Sequence, residues 1–284
     1  MILINGESKD QLDISDRGLQ YGDGLFETLE LKNGHAIFLN HHLHRLNSGC
    51  QRLSIPPPDA RIICREIDEL SQQWPYQSPS YRAVLKIIIT RGSGGRGYRQ
   101  PETLQPTRIL SLHPYPDYPQ NYAEQGIIAR ICTTRLGLNP CLAGIKHLNR
   151  LEQVLARSEW SDPTIQEGLM LDINDNVIEG TMTNLFIIKN NCLYTAALTQ
   201  SGVAGITRGI IINLASAHGL LITEQPITKD QLFSADELFV CNSIIGIWPI
   251  KQLDNCHFSV GPITQSIQNW LTSLMHDCQA EQIQ

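Results

Sequence analysis

The chain reads as a succession of short segments in which apolar positions either alternate or recur at helical spacing. MILINGES opens as a short apolar strand closed by the Asn5-Gly6 turn. LFETLELKNGHAIFL repeats the device with two extended runs around Asn33-Gly34, a dipeptide suited to the positive φ angles of a tight hairpin. Over residues 41–53, Leu43, Leu46 and Leu53 fit a helical face, and Pro56-Pro57-Pro58 stops it. Ile63, Ile67 and Leu70 predict a second amphipathic helix over 62–74. YRAVLKIIIT, rich in β-branched residues, predicts a buried strand that runs into the Gly-rich RGSGGRGY, and RILSLH predicts another.

HPYPDYPQNY holds three prolines in ten residues and cannot be a helix, so it marks a linker. Beyond it the pattern changes. GIIARICTTR predicts a strand, and LNRLEQVLARSEW places Leu148, Leu151, Val154 and Leu155 on one helical face. LMLDI, an Asp-Asn turn and NLFIIKNNCLYT follow. A helix over 207–217 stops near Gly219, and ELFVCNS predicts a further strand. Hairpins interleaved with helices predict an α+β (mixed α/β) fold in two domains, 1–113 and 121–284, joined by a linker at 114–120.

Composition narrows the functional classes. With 284 residues, 42% hydrophobic and 18% charged, the chain is long and apolar enough to bury a core, which excludes disorder as its main state. The net charge of −6 offers no basic surplus for nucleic acid or an anionic membrane surface. No run approaches the roughly 18 apolar residues of a bilayer span. The first residues lack the basic and apolar regions of a secretory signal. Eight cysteines, none in a C-x-x-C pair, predict mostly buried, reduced thiols in a cytoplasmic protein and no metal site.

Four distant segments carry candidate chemistry. Lys146, in AGIKHLNRLEQVLAR, stands before an apolar helix, where burial would lower its pKa and make its amine nucleophilic. Glu179 and Asn184 flank the turn of IEGTMTNLF. GVAGITR, residues 202–208, opens a helix whose N-terminal amides and Thr207 hydroxyl suit a phosphate. Arg45, in HHLHRL, suits bidentate phosphate binding. Taken singly, these are a solvated lysine, a turn glutamate, a Thr-capped helix and a surface arginine. Together they supply the amine, carboxylate and two phosphate seats that a pyridoxal phosphate (PLP) site requires.

From Glu179 to Arg208, E-G-T-M-T-N-L-F, L-Y-T and V-A-G-I-T-R stand in the order and spacing of the signature of the class IV, fold-type IV PLP-dependent enzymes. The chain resembles that family, and YGDGLFET, HLHRL, RGSGGRGY and GIKHLNRLEQVLAR extend the likeness over nearly its whole length. The family includes branched-chain and D-amino-acid aminotransferases and aminodeoxychorismate lyases. RGSGGRGY and AGIKHLNRLEQVLAR look most like the lyases.

The resemblance implies a two-domain, D-amino-acid-aminotransferase-like fold, pyridoxal 5′-phosphate as cofactor, a homodimer, and aminodeoxychorismate as a small-molecule substrate. It implies that Lys146 holds PLP and carries protons, and that Glu179 pairs with the pyridine nitrogen. Arg45, Ile206, Thr207 and Ser243 would hold the phosphate. Asn184 would be structural, Arg91 would meet a substrate carboxylate, and Thr28 would face the cofactor and serve catalysis. Phe26 stands where D-amino-acid aminotransferases often carry an aromatic hydroxyl. The rival readings are an aminotransferase and a PLP-binding carrier or regulator without turnover.

Overall fold

Hairpin turns fall where Asn-Gly and Asn-Asn pairs supply positive φ: Asn33 and Gly34 at 52° and 84°, Asn190 and Asn191 at 51° and 59°. The protein's structure, a computed structural model, describes residues 1–74 and 81–281. It divides into two units. Unit 1 holds Met1–Pro116 and Ile145–Asn149; unit 2 holds Asp117–Gly144 and Arg150–Asp277. The division near Pro116 lies in the proline-rich stretch, but the segment bearing Lys146 groups with unit 1, a departure from two contiguous domains.

Unit 1 contains β1 (Ile2–Ile4), β2 (Glu7–Ser8), α1 (Arg17–Tyr21), β3 (Gly24–Lys32), β4 (His35–Ala36), α2 (Leu39–Arg52), α3 (Ala60–Gln72), β5 (Arg82–Thr90) and β6 (Thr107–Pro114). Its sheet is antiparallel in the order β2-β1-β6-β5-β3-β4. The second run of the predicted hairpin is short. Phe38 turns left-handed (φ 55°) with its side chain buried, and α2 starts at Leu39 instead of continuing as strand. Strand alternation puts Leu25, Glu27, Leu29 and Leu31 on the buried face of β3, and Phe26 and Thr28 on the half-buried one. Helix α2 packs on β3, and α3 on β6 and β1. Leu46, Ile63 and Leu70 are thereby sealed from water, each contributing about 1.5–3 kcal/mol of burial.

Unit 2 contains α4 (Asn121–Gln125), β7 (Ile127–Leu136), α5 (Leu151–Arg157), β8 (Glu167–Asp172), β9 (Val177–Gly180), β10 (Asn184–Lys189), β11 (Cys192–Ala196), α6 (Ile206–Ala217), β12 (Ile222–Gln225), α7 (Lys229–Phe233), β13 (Glu237–Asn242), β14 (Gly246–Leu253) and β15 (Cys256–His257). The last helix, α8 (Pro262–Glu281), follows. The sheet runs β12-β11-β10-β13-β14-β7-β8-β9, and pairing of β9 with β10 at Glu179 and Asn184 closes it into a barrel-like ring. Leu169, Leu171, Leu185, Ile187, Val240 and Ile250 fill its core.

Two expectations are corrected. The predicted apolar face of α5 is outward: Leu151, Val154 and Leu155 are 76%, 60% and 58% exposed, while Ala156 is buried against β7 and β8. The helical period was legible, but its apolar side is left largely exposed by the described residues. Of the seven cysteines whose side chains are described, only Cys50, Cys132 and Cys241 are buried, and Cys141 and Cys256 are exposed.

Candidate active site

In unit 1, residues 146–148 pair with the start of β3 as an added extended segment. The Phe26 amide donates to the Lys146 carbonyl (3.0 Å), Leu25 bridges His147, and the Leu148 amide donates to the Gly24 carbonyl (3.0 Å). Asn149 ties its end to the Gly22 carbonyl (3.0 Å). This register sets the half-buried Lys146 with its Nζ 4.5 Å from the centre of the Phe26 ring, a cation–π contact.

Beneath β3, on the core face, Glu27 binds two α2 side chains. Arg45 Nε donates to its Oε1 (2.8 Å), and His42 Nδ1 lies 2.6 Å from its Oε2. Burial pushes the Glu27 carboxyl up. The charge of Arg45 and the His42 and Arg45 hydrogen bonds outweigh it and hold the group at about 2. Burial dominates at His42 and pushes its imidazole below the ordinary value, with the charges of Arg45 and Lys146 acting in the same direction. A neutral His42 beside an ionised Glu27 donates from Nδ1. Glu27 and His42 were absent from the sequence candidates. The signal for Glu27 was its phase: a carboxylate sharing the alternation of Leu25, Leu29 and Leu31.

Thr28 lies on the opposite, half-buried face of β3, with Lys86 as its cross-strand partner. Arg91 is 4% exposed, and its guanidinium is spent on the protein. It pairs bidentately with Asp23 (2.8 and 2.9 Å) and donates to the Leu53 and Ser54 carbonyls beyond α2 (2.8 and 2.9 Å). In the structure Arg91 is a clamp that fastens the end of β5 to the end of α2.

In unit 2, Glu179 is 4% exposed. Its Oε2 accepts from the Val203 amide (2.8 Å), and its Oε1 from Gln153 Nε2 (3.4 Å). The turn that follows is built around Glu167, a fully buried carboxylate that accepts from the Gly168 and Thr181 amides and from the Thr181 and Thr183 hydroxyls at 2.6–3.0 Å. Gly180 is required here, because a Cβ would collide with Thr183 Oγ1. Asn184 donates to the Val203 carbonyl (2.9 Å), and its Oδ1 occupies the place of a Cβ on Gly205, so it ties the loop that enters α6.

Gly205 caps α6 without a side-chain hydrogen bond, leaving the amides of the first turn to an anion. Ile206 is half-buried there and Thr207 is buried. Ser201, earlier in the same loop, has a buried hydroxyl without a hydrogen-bond partner. Arg208 turns away, to the Ala196 carbonyl (2.8 Å) and Glu224 (2.6 Å). Ser243 sits in the β13–β14 turn, whose amides at Ile244 and Ile245 are held by the Asn242 side chain (2.8 and 2.9 Å). Two residues before Lys146, the Gly144 amide donates to the Gly202 carbonyl (2.9 Å), and the Gly144 carbonyl accepts from the Ala204 amide (3.1 Å). Unit 1 thus carries Lys146, Arg45, Thr28 and Arg91, and unit 2 carries Glu179, Ile206, Thr207 and Ser243. The donor set matches what PLP demands: an amine, a buried carboxylate and an uncapped helix N-terminus.

The model of the class IV amino-transferases matches residues 24–253. An aminodeoxychorismate lyase of Vibrio harveyi is 33% identical over 279 residues, covering 96% of this chain and 100% of that protein. The crystal structure of 4-amino-4-deoxychorismate lyase from Pseudomonas aeruginosa superposes with a TM-score of 0.90 at 42% identity, covering 96% of this chain and 98% of that one. A branched-chain amino acid aminotransferase of Escherichia coli gives 0.86 at 27% identity, covering 96% and 94%.

Proposed function

The chain belongs to the class IV aminotransferase family, and from that premise we propose that it is a PLP-dependent aminodeoxychorismate lyase. It would convert 4-amino-4-deoxychorismate to 4-aminobenzoate, a folate precursor, and pyruvate. The observation that carries the reaction type is the graded likeness: 42% identity to the lyase structure against 27% to the aminotransferase, at nearly equal coverage.

Bound PLP supplies an electron sink for the carbon that bears the substrate amine. Lys146 would anchor the cofactor and, as a neutral amine, would take the C4 proton. Glu179 keeps positive charge on the ring nitrogen, held in place by the Val203 amide. The amides of Ile206 and Thr207, with Thr207, Ser243 and Arg45, hold the phosphate; Glu27 fixes the Arg45 guanidinium for that work. Thr28 stands on the substrate-facing side of β3. Loss of the C4 proton accompanies breakage of the C3–O bond to the enolpyruvyl group. That group leaves as the enolate of pyruvate, which takes up a proton to give pyruvate, and the ring becomes aromatic.

The outward stripe of Leu151, Val154 and Leu155 supports a homodimer, because a soluble monomer gains nothing by wetting three aliphatic side chains on one helix. Sedimentation at micromolar concentration tests this, and a monomer would refute it. Buried thiols at Cys50, Cys132 and Cys241 fit a cytoplasmic site, and no described helix is long and apolar enough to cross a membrane. Fractionation of cells tests the location; recovery outside the cytoplasm would refute it.

The deciding experiment for the reaction is incubation of the PLP-loaded protein with aminodeoxychorismate and no added 2-oxo acid. Equal amounts of 4-aminobenzoate and pyruvate over many turnovers are expected. A single turnover per site, rescued by 2-oxoglutarate, would install an aminotransferase instead. Bound PLP without any turnover would leave a carrier.

A further inference from the structure

The face of the unit 1 sheet that carries Phe26 holds a second ammonium group. Thr28 of β3, Lys86 of β5 and Ser111 of β6 are cross-strand partners, one step along the same face from Phe26, Ile88 and Ile109. Lys86 Nζ lies 5.5 Å from the centre of the Phe26 ring, and Lys146 Nζ lies 4.5 Å from the same point, so the two nitrogens are at most about 10 Å apart.

The charges around Lys86 leave it without a counter-ion. Glu30, two residues along β3 from Thr28, is taken up by Arg82, whose Nη2 donates to Oε2 at 3.0 Å and whose Nε donates to Oε1. Glu27 faces the core and is taken up by Arg45 and His42. Among the described residues no carboxylate pairs with Lys86. The Ser111 hydroxyl and His113 Nε2 bond to each other at 2.9 Å, and burial, then the charge of Lys86, push the His113 imidazole below its ordinary value. Lys86 is half-buried along its length, and its charge has no carboxylate partner among the described residues, so an anionic ligand would complete it.

We propose that Lys86 is a specificity-determining residue that binds the carboxylate para to the substrate's reacting amine, the carboxylate retained in 4-aminobenzoate. The identity of this ligand rests on the lyase reading above. The spacing fits: a para carboxylate lies about 6 Å from the amine nitrogen, and a charged hydrogen bond spans about 3 Å more. The bound allows an amine at Lys146 to carry its para carboxylate to Lys86, whose cross-strand partners Thr28 and Ser111 offer hydroxyls on the same face. The aromatic ring of Phe26, contacted by both ammonium groups, offers an apolar flank to the flat ring that joins them.

The test is binding of 4-aminobenzoate and of 4-aminobenzamide to the PLP-loaded protein by titration calorimetry, for wild type, Lys86→Met and Lys86→Arg. Methionine keeps the apolar stem against Phe26 and removes the charge. The expected result is a loss of about tenfold or more in 4-aminobenzoate affinity for Lys86→Met, the scale of one charged hydrogen bond. Amide binding should be little changed, and Lys86→Arg should restore most of the loss. In turnover, KM for aminodeoxychorismate should rise more than kcat falls. Equal affinity of wild type and Lys86→Met for 4-aminobenzoate would overturn the proposal. So would no 4-aminobenzoate binding by wild type, or a parallel loss of acid and amide, which would mark a packing role. Failure of the lyase reading is seen separately, as absence of wild-type turnover.

Discussion

Replacing Glu27 with Gln probes the buried network under Lys146, and the structure sets the size of the effect. The folded carboxyl is held at about 2, against an ordinary 4.5 in the unfolded chain. That difference corresponds to about 3 kcal/mol of stability at neutral pH, an order-of-magnitude figure for so closely coupled a group. The sign follows from the depressed folded value. The stabilisation is complete above pH 4.5 and is lost as pH falls through 2, with about 1 kcal/mol left at pH 3. Gln cannot ionise, so it forgoes this contribution, and it leaves the Arg45 charge with a weaker partner, which acts in the same direction. Because the chain has two units, the assay must be local: amide hydrogen exchange in peptides spanning β3 and α2. At pH 7 the variant should lose protection on the order of a hundredfold relative to wild type, and at pH 3 the gap should shrink to about tenfold. A gap under about threefold at pH 7, or one equally large at pH 3, would refute the assignment of Glu27 as a charged, stabilising partner of Arg45.

Borohydride treatment of the PLP-loaded protein should fix the cofactor to the chain, and peptide mapping should place it on Lys146; attachment at Lys86 or Lys189 would overturn that role. Glu179→Gln should retain PLP, seen by absorbance, yet lose about two orders of magnitude or more in kcat, because a neutral amide supports positive charge at the ring nitrogen poorly. Near-normal turnover would remove Glu179 from the ring nitrogen. Arg91→Met should destabilise unit 1 by about 1–3 kcal/mol, since it leaves the partly buried Asp23 with Arg17 as its remaining partner and frees two carbonyls. Thermal unfolding reads this out. An unshifted midpoint with a raised substrate KM would return Arg91 to a substrate-binding role.

The local devices were legible from sequence because they depend on near neighbours. Asn33-Gly34 forms its turn, the Ile63, Ile67 and Leu70 spacing forms α3, and residues 206–217 form α6. The motif E-G-T-M-T-N marked Glu179, since Gly180 and Thr183 are fixed by contacts only three residues apart.

What depended on distant chain segments was decided by tertiary structure. The outward apolar side of α5 could not be read from its period, because a period tells which residues share a face and not whether anything covers it. Arg91 carried a family position in sequence. Only the fold brought Asp23, Leu53 and Ser54 to it from 68, 38 and 37 residues away and engaged most of its donors. Lys146 was marked by sequence, but its setting was not. The pairing of residues 146–148 with β3 sets its amine over Phe26, and alternation along that strand sends Glu27 beneath and Thr28 above. Sequence supplied the reactive groups. Long-range strand pairing chose which of them neutralise one another.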